Sequence, residues 1–529
     1  MIDKIQILND TPSEIYPHSA HGPALMTYTI ALEAWQRGIE VKFFTIYVKN
    51  QLKIRYKLSH KNEDHTFQLS LGDKVSKEAR KIGRSKALTK QYLKAAGVPV
   101  PEGKMLSIHN SDYNEAAEYA GHIGYPVIVK PAEASLAIGV RTNIQSKEDL
   151  HEALDHVHVE LGYKDIIIER HAAGYDTRTY VAGDQVIASF KRVRGNIIGD
   201  GESSIMQLIE MKNKYRKMNP HLSGDLIEVE ENLIDFINEQ GYQLDSILEN
   251  GKKVDLSGST FAKDYSETVD ITDELTENFK KTAVEAIRCL PGMNLAGVDI
   301  IMDQENDRNY VLEVNCRPNI GGHLFPVIGQ SRDVPGAIID YYFPETAEIE
   351  KKESAWFTFD FDSITDFLKK GIVKEVTLPP LPKKNVVNKH LIITGDIEKY
   401  DHWLFKSAIG HRVGGHMKKI TCNKARLIIA GRKQRVEVFM EKLSSKSSIM
   451  DIELIDENRW DSHIMYKFEV FDEMKPVALI SKEGHIESEN RRLKKENEQL
   501  KKEMSQLKES NSWKVTRPLR MISRLRKND

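Results

Sequence analysis

The sequence predicts an α+β protein assembled from successive domains. Strand and helix patterns alternate from about residue 81 to 345. A second strand–helix series follows a proline-rich stop at Leu378–Lys384. A seven-residue leucine repeat closes the chain. With 529 residues, 40% hydrophobic and 29% charged, the chain has room for several ordinary cores. Net charge is −2, from 76 basic and 78 acidic side chains, which argues against nucleic acid as the main partner. Cys289, Cys316 and Cys422 are far apart and form no CxxC, as expected of free thiols in a reducing compartment. The N-terminus lacks a signal-peptide core, and no run approaches the roughly 18 apolar residues of a spanning helix. A cytoplasmic protein is expected.

Residues 1–80 mix short apolar runs with a helical stretch, Ala24–Arg37, and read as a small α/β region. In the large domain, 81–345, strand candidates are Tyr125–Lys130, Asp165–Glu169, Arg178–Val181, Gln185–Lys191, Leu295–Met302 and Asn309–Asn315. Ser146–Leu161 and Thr276–Leu290 read as helices between them. Residues 346–387 are expected to be a connecting segment. From 388 to 475 the order strand, helix, strand, strand, helix, strand predicts a ferredoxin-like unit. In 480–511, Ile486, Leu493, Leu500 and Leu507 fall one heptad apart, with Asn490 and Asn497 at the other apolar position. This pattern predicts a two-stranded coiled coil, hence a homodimer, against the alternative of a lone solvated helix.

The strongest chemical constellation ends the large domain. Asp299 closes the apolar run LAGVD, and Glu313 and Asn315 lie two apart in YVLEVN, so one strand presents both on the same face. Two carboxylates and an amide oxygen form a hard-oxygen set suited to Mg²⁺. Lys130 ends YPVIVK, where a strand-end lysine reaches a phosphate as a point charge. Lys86 opens a helical segment that stops at Gly97 and Pro99. In DIIIERHAAGYD, an apolar strand leads to Glu169 and, seven residues later, Asp176. Each piece alone also fits ordinary ion pairing at strand ends.

The pieces Lys86, Lys130, IIIER, YDTRTYV, GDG, GVDI and EVN follow one another in an order that resembles ATP-grasp ligases. The nearest likeness is to the ATP-grasp domain of cyanophycin synthetases and to glutathione-synthetase and RimK-type enzymes, over roughly residues 80–345. The resemblance implies two α/β lobes clamping ATP, with two Mg²⁺ (or Mn²⁺) ions. It places Lys86 and Lys130 on the phosphates, Ile168, Glu169 and Arg170 at the adenine, and Asp176 at the ribose. It assigns Asp299, Glu313 and Asn315 to the metals, and Arg178 and Arg192 to phosphate or an acyl phosphate. Two departures stand out. The loop PAEASLAIGV is poor in glycine, so Ser135 is expected to supply a hydroxyl. The segment FAKDYSET replaces the usual Asn-Ser-Gly pattern, so Lys263 is expected to supply a phosphate contact. There is also no second, Walker-type ATP domain, which argues against cyanophycin as product.

The small unit resembles acylphosphatase in element order. Lys406 stands where that enzyme has its phosphate-binding arginine, and Lys419 where it has its water-orienting asparagine. Lysine reproduces neither role, so no phosphatase activity is expected, and a retained anion-binding or purely structural role is. The tail SWKVTRPLRMISRLRKND is basic and amphipathic, as in segments that lie on anionic membranes. SWKVTRPLR resembles tails of bacterial surface-polysaccharide glycosyltransferases. The expected function is a ligase joining a small-molecule carboxylate to an amine through an acyl phosphate, with surface polymers as a setting and peripheral membrane contact through the tail. The alternatives are an ATP-binding scaffold of polysaccharide enzymes and an ATP-grasp kinase.

Overall fold

The computed structural model describes residues 16–108, 113–132, 138–258, 265–349, 357–382, 385–445, 450–457 and 463–472. It divides into two compact units: residues 1–386 with 461–466, and residues 387–460 with 467–529. The coiled-coil heptads and basic tail predicted from the sequence, and Ser135 and Lys263, lie outside the described residues.

In the first unit, helix α1 (Ala24–Gln36) lies against a five-stranded sheet ordered β17-β1-β2-β3-β4. The strands are β1 (Glu40–Val48), β2 (Gln51–His60), β3 (Glu63–Gln68), β4 (Leu71–Gly72) and β17 (Glu375–Thr377). The edge strand β17 comes from the stretch expected to be a mere connection. It pairs antiparallel with β1, Phe43 opposite Val376. The physical reason is an apolar face that needs cover. Phe43 is fully buried, and Phe359 and Phe361 each sit 5.7 Å from its ring centre. Trp35, on α1, donates its indole N–H to the Pro379 carbonyl at 2.7 Å.

Two further sheets build the middle of this unit. One is ordered β5-β8-β6-β7, from β5 (Gly103–Ser107), β6 (Val127–Pro131), β7 (Arg141–Ile144) and β8 (Asp165–Arg170). The other is ordered β13-β10-β9-β14-β15. Its strands are β9 (Tyr175–Ala182), β10 (Gln185–Val193), β13 (Glu267–Asp270), β14 (Leu295–Asp303) and β15 (Arg308–Asn315). Helix α2 (Lys86–Ala95) has Ser85 as N-cap, whose hydroxyl accepts from the Leu88 N–H. Helix α4 (Glu277–Arg288) buries Phe279, Ala283 and Ile287 in one core with Val298, Ile300, Val311 and Val314 of β14 and β15. Between β10 and β13 the chain makes a small subdomain around helix α3 (Ile205–Met218), begun by a Ser204–Gln207 capping box.

In the second unit, β18 (Val386–Gly395), α5 (Ile397–His411), β19 (Gly414–Thr421), β20 (Lys424–Arg432), α6 (Lys433–Ser444) and β21 (Met450–Glu457) follow in turn. Their sheet is ordered β21-β18-β20-β19-β23, with β23 (Phe468–Asp472) parallel to β19. This is a split βαβ plait with a fifth edge strand. Leu404, Ala408, Val436 and Phe439 of the two helices pack on Leu391, Ile393, Leu427 and Ile429 of the sheet. Lys419, almost wholly buried, donates to Asp401 at 2.7 Å. An acid therefore neutralises the cation at the position compared above with a water-orienting asparagine.

Phe279 fills the centre of the α4 core at 0% exposure. Phe279→Ala is expected to cost about 3–5 kcal/mol, read as a lower urea midpoint of the full chain. An unchanged midpoint would mean that this helix does not carry the core described.

Candidate active site

Strand β8 decides which groups meet. Its residues alternate between two faces. Ile166 and Ile168 enter a core with Val127, Val129, Leu150 and Leu154. Ile167 and Glu169 face the other way, into a cavity of about 200 Å³ that Lys86, Lys90, Lys130 and Leu312 also line. Ile168 thus turns its side chain into the core, and Ile167 is the isoleucine whose side chain lines the cavity. Arg170 is more than half exposed and lies 3.5 Å from Glu102.

Glu169 is 3% exposed and has two lysine partners. Lys130, from the adjacent strand β6, donates to one carboxylate oxygen at 2.7 Å, and Lys90 of α2 to the other at 2.7 Å. Gly103 of β5 lies opposite Glu169, and a Cβ there would stand 2.5 Å from the Glu169 Cγ. Glycine at this strand position leaves the room in which the side chain lies. Burial pushes the Glu169 carboxyl up, but the two lysines outweigh it and hold the group below the ordinary carboxylate range. Burial lowers Lys86 and Lys90; the field of Glu313 on Lys86, and Glu169 on Lys90, oppose this. Sequence reasoning missed Lys90. Its signal was the spacing to Lys86, four residues along one helix face.

The second cluster lies on the β9–β10–β14 sheet. Arg178 makes a fork to Asp299, Nε at 2.6 Å and Nη2 at 2.7 Å. Arg192 donates to Asp176 at 2.6 Å and reaches Asp299 at 3.4 Å. Burial raises Asp299, but Arg178 and Arg192 outweigh it and hold the carboxyl low. Asp176 stays raised: burial and the charge of Asp299 exceed the pull of Arg192. Asp176 thus meets Arg192 and Asp299, while Glu169 meets Lys90 and Lys130.

The paired strands β14 and β15 place Asp299 opposite Glu313, and Gly297 opposite Asn315. The register then slips: Ile300 pairs with Val311, which leaves Leu312 as an extra residue beside the acids. The Asn315 amide lies 3.5 Å from Asp299. Among the described residues Glu313 has no hydrogen bond or ion pair, and its field falls on Lys86. Glu313 and the Asn315 side-chain oxygen are the donors that fit a hard divalent cation. Asp299 fits only while sharing its oxygens with two arginines.

Beyond Asn315, a single helical turn at Gly321–Leu324 threads between close neighbours. A Cβ on Gly321 would stand 2.6 Å from the His221 ring, and one on Gly322 2.8 Å from Phe190. His323 follows, 2% exposed, its ring 4.6 Å from that of Phe190. Neither of its ring nitrogens has a partner among the described residues. Burial pushes its pKa down to about 3, and that of His221 to about 4.

Residues 92–251 match the family model of the D-ala D-ala ligase C-terminus, and residues 183–321 that of the ATP-grasp domain. The chain is 29% identical over 339 residues to the cyanophycin synthetase of Trichormus variabilis, covering 63% of this chain and 36% of that protein. It is 29% identical over 277 residues to the glutathione biosynthesis bifunctional protein GshAB of Pasteurella multocida, covering 50% and 36%. The crystal structure of a bifunctional glutathione synthetase from Pasteurella multocida aligns with a TM-score of 0.44 at 25% identity, over 57% of this chain and 42% of that one. The chain thus spans about a third of the length of these curated relatives. No described helix is long and apolar enough to cross a membrane.

A neutral buried histidine makes the fold acid-sensitive. The unfolded chain takes up the proton below about pH 6.5, while folded His323 refuses it until about pH 3. The unfolded state binds more protons in that window, so stability falls as pH drops through it. The slope is about 1.4 kcal/mol per pH unit for one histidine. His323→Phe is expected to flatten the pH profile of the unfolding free energy, measured by urea titration between pH 6 and 4, by roughly that slope; an unchanged profile would mean the ring is solvated.

Proposed function

Starting from the ATP-grasp domain that this chain carries, we propose that it is an ATP- and magnesium-dependent ligase joining a carboxylate to an amine. The observation that supports this most is the Lys90–Glu169–Lys130 clasp at a cavity which Lys86 also lines. It presents fixed cations to phosphates, and a carboxylate that accepts from an exocyclic amine or a sugar hydroxyl. The sequence similarity to cyanophycin synthetase and GshAB points the same way.

In the first step a substrate carboxylate oxygen attacks the γ-phosphorus. The new O–P bond forms as the bond to the β-phosphate bridge breaks, and ADP leaves. In the second, an amine nitrogen attacks the acyl carbon. The C–N bond forms, the C–O bond to phosphate breaks, phosphate leaves with the electron pair, and the amine gives up a proton. Arg178 and Arg192, paired here with Asp299 and Asp176, are the groups that would stabilise the transferring phosphoryl group. Glu313 and Asn315, with Asp299, would hold the magnesium, which supplies charge neutralisation for the phosphates when bound. Lys263 and Ser135 are further candidates for phosphate contact, and Asp176 for the ribose. A setting in surface-polymer synthesis is part of this proposal and rests on the likeness of the SWKVTRPLR tail.

Hydroxylamine intercepts acyl phosphates, so hydroxamate formation tests the reading before the natural amine is known. With ATP, Mg²⁺ and a panel of amino-acid and peptide carboxylates, wild type is expected to form hydroxamate and ADP in equal amounts. Arg192→Gln should lower the rate by roughly 10²–10³-fold, the usual scale for losing one transition-state contact. A stable phosphate ester with no hydroxamate would replace the ligase by a kinase.

A further inference from the structure

The second unit has a cavity of its own, of about 270 Å³, lined by Gly410, His411, Arg412, Gln434, Arg435 and Val438. It lies between the C-terminal turn of α5 and the first two turns of α6. We propose that this cavity is a binding site for a phosphate-type anion, separate from the nucleotide site and independent of the ligase reading.

Four observations converge on an anion. First, Arg412 and Arg435 both line the cavity, and neither makes an ion pair or a side-chain hydrogen bond among the described residues. Arginine forks suit phosphate oxygens in pairs. Second, Arg412 occupies the left-handed C-cap of α5, at φ 53°, where glycine is the low-cost residue. The chain carries a long cation at a position whose backbone geometry calls for none. Third, His411 donates its Nδ1–H to the Ser407 carbonyl at 2.7 Å, which fixes the ring at the cavity; its Nε2 donates to an anion only when the ring is protonated. Fourth, α6 begins without a side-chain cap at Arg432 and without an acid in its first turn, so its positive end offsets the negative C-terminal end of α5 on the opposite wall.

Local packing makes the cavity. Gly410 has no neighbour within 4 Å of where a Cβ would be, so its bare backbone forms part of the open wall. At the far side Gly431 brings β20 close: a Cβ there would lie 3.6 Å from the Arg412 carbonyl. Val438, 38% exposed, adds an apolar edge, which suits a phosphate carried on a sugar or other small organic body. The place differs from the one compared above with acylphosphatase. That comparison concerned Lys406 and Lys419, and Lys419 is neutralised by Asp401.

The test is hydrogen–deuterium exchange on the full chain with millimolar pyrophosphate, against sodium chloride at equal ionic strength. Pyrophosphate is expected to slow exchange in peptides covering 407–415 and 432–440, and chloride is not. Arg412→Gly and Arg435→Gln should each raise the half-saturating pyrophosphate by roughly tenfold or more. Arg412→Gly places glycine where the backbone favours it, so its melting temperature should equal or exceed that of wild type. A loss of protection in this variant then cannot come from misfolding. Absence of protection in wild type, equal protection by chloride, or protection that survives both substitutions would each overturn the proposal.

Discussion

A carboxylate with 3% of its surface exposed stays charged only where cations reach both of its oxygens, and Glu169 shows what that requires of the chain. Strand β8 must turn Glu169 away from the core that takes Ile166 and Ile168. Gly103 must stand opposite so that the side chain has room. Strand β6 must deliver Lys130, and the pitch of α2 must set Lys90 on the same face as Lys86. Removing either lysine leaves a buried charge half compensated. The clasp is therefore both a structural pin between a helix and a sheet and the cationic floor of the cavity.

The second cluster obeys the same rule with a different balance. Asp176 and Asp299 face Arg178 and Arg192, so the formal charges cancel. Cancelled charges can be exchanged. A polyphosphate offers new oxygens to the arginines, and a divalent cation offers a new partner to Asp299. Glu313, without an ion pair among the described residues, and Asn315 are ready beside it, brought there by the β14–β15 register and its one-residue slip at Leu312. Under the proposed function the first cluster stays in place, and the second would exchange its partners for phosphate and metal.

Much of this was legible in the residues, and the failures have physical causes. The strands at Asp165, Arg178, Gln185, Leu295 and Asn309 could be read because apolar runs with charged ends have few other solutions. Glu313 and Asn315 shared a face by simple alternation. In IIIER alternation gave no phase, because three isoleucines look alike; only the structure shows that Ile167 lines the cavity and Ile168 the core. Lys90 was missed because its value comes from an acid 79 residues away. Residues 375–377 read as linker, since a three-residue edge strand has too little pattern to see, yet they close the first sheet. The residues alone did not show that both ring nitrogens of His323 lack a partner among the described residues; this appears only once Phe190 and Tyr180 surround the ring.

The measurement that bears most directly on the account is calorimetric titration of the full chain with MgATP, comparing wild type with Lys90→Met and Lys130→Met. Each variant is first shown to unfold cooperatively in urea. The account predicts binding to wild type and a weakening of roughly tenfold or more in each variant, because each loses one charge-assisted contact and leaves Glu169 with a single cation. Wild-type affinity in both folded variants would contradict the assignment of the clasp to the nucleotide.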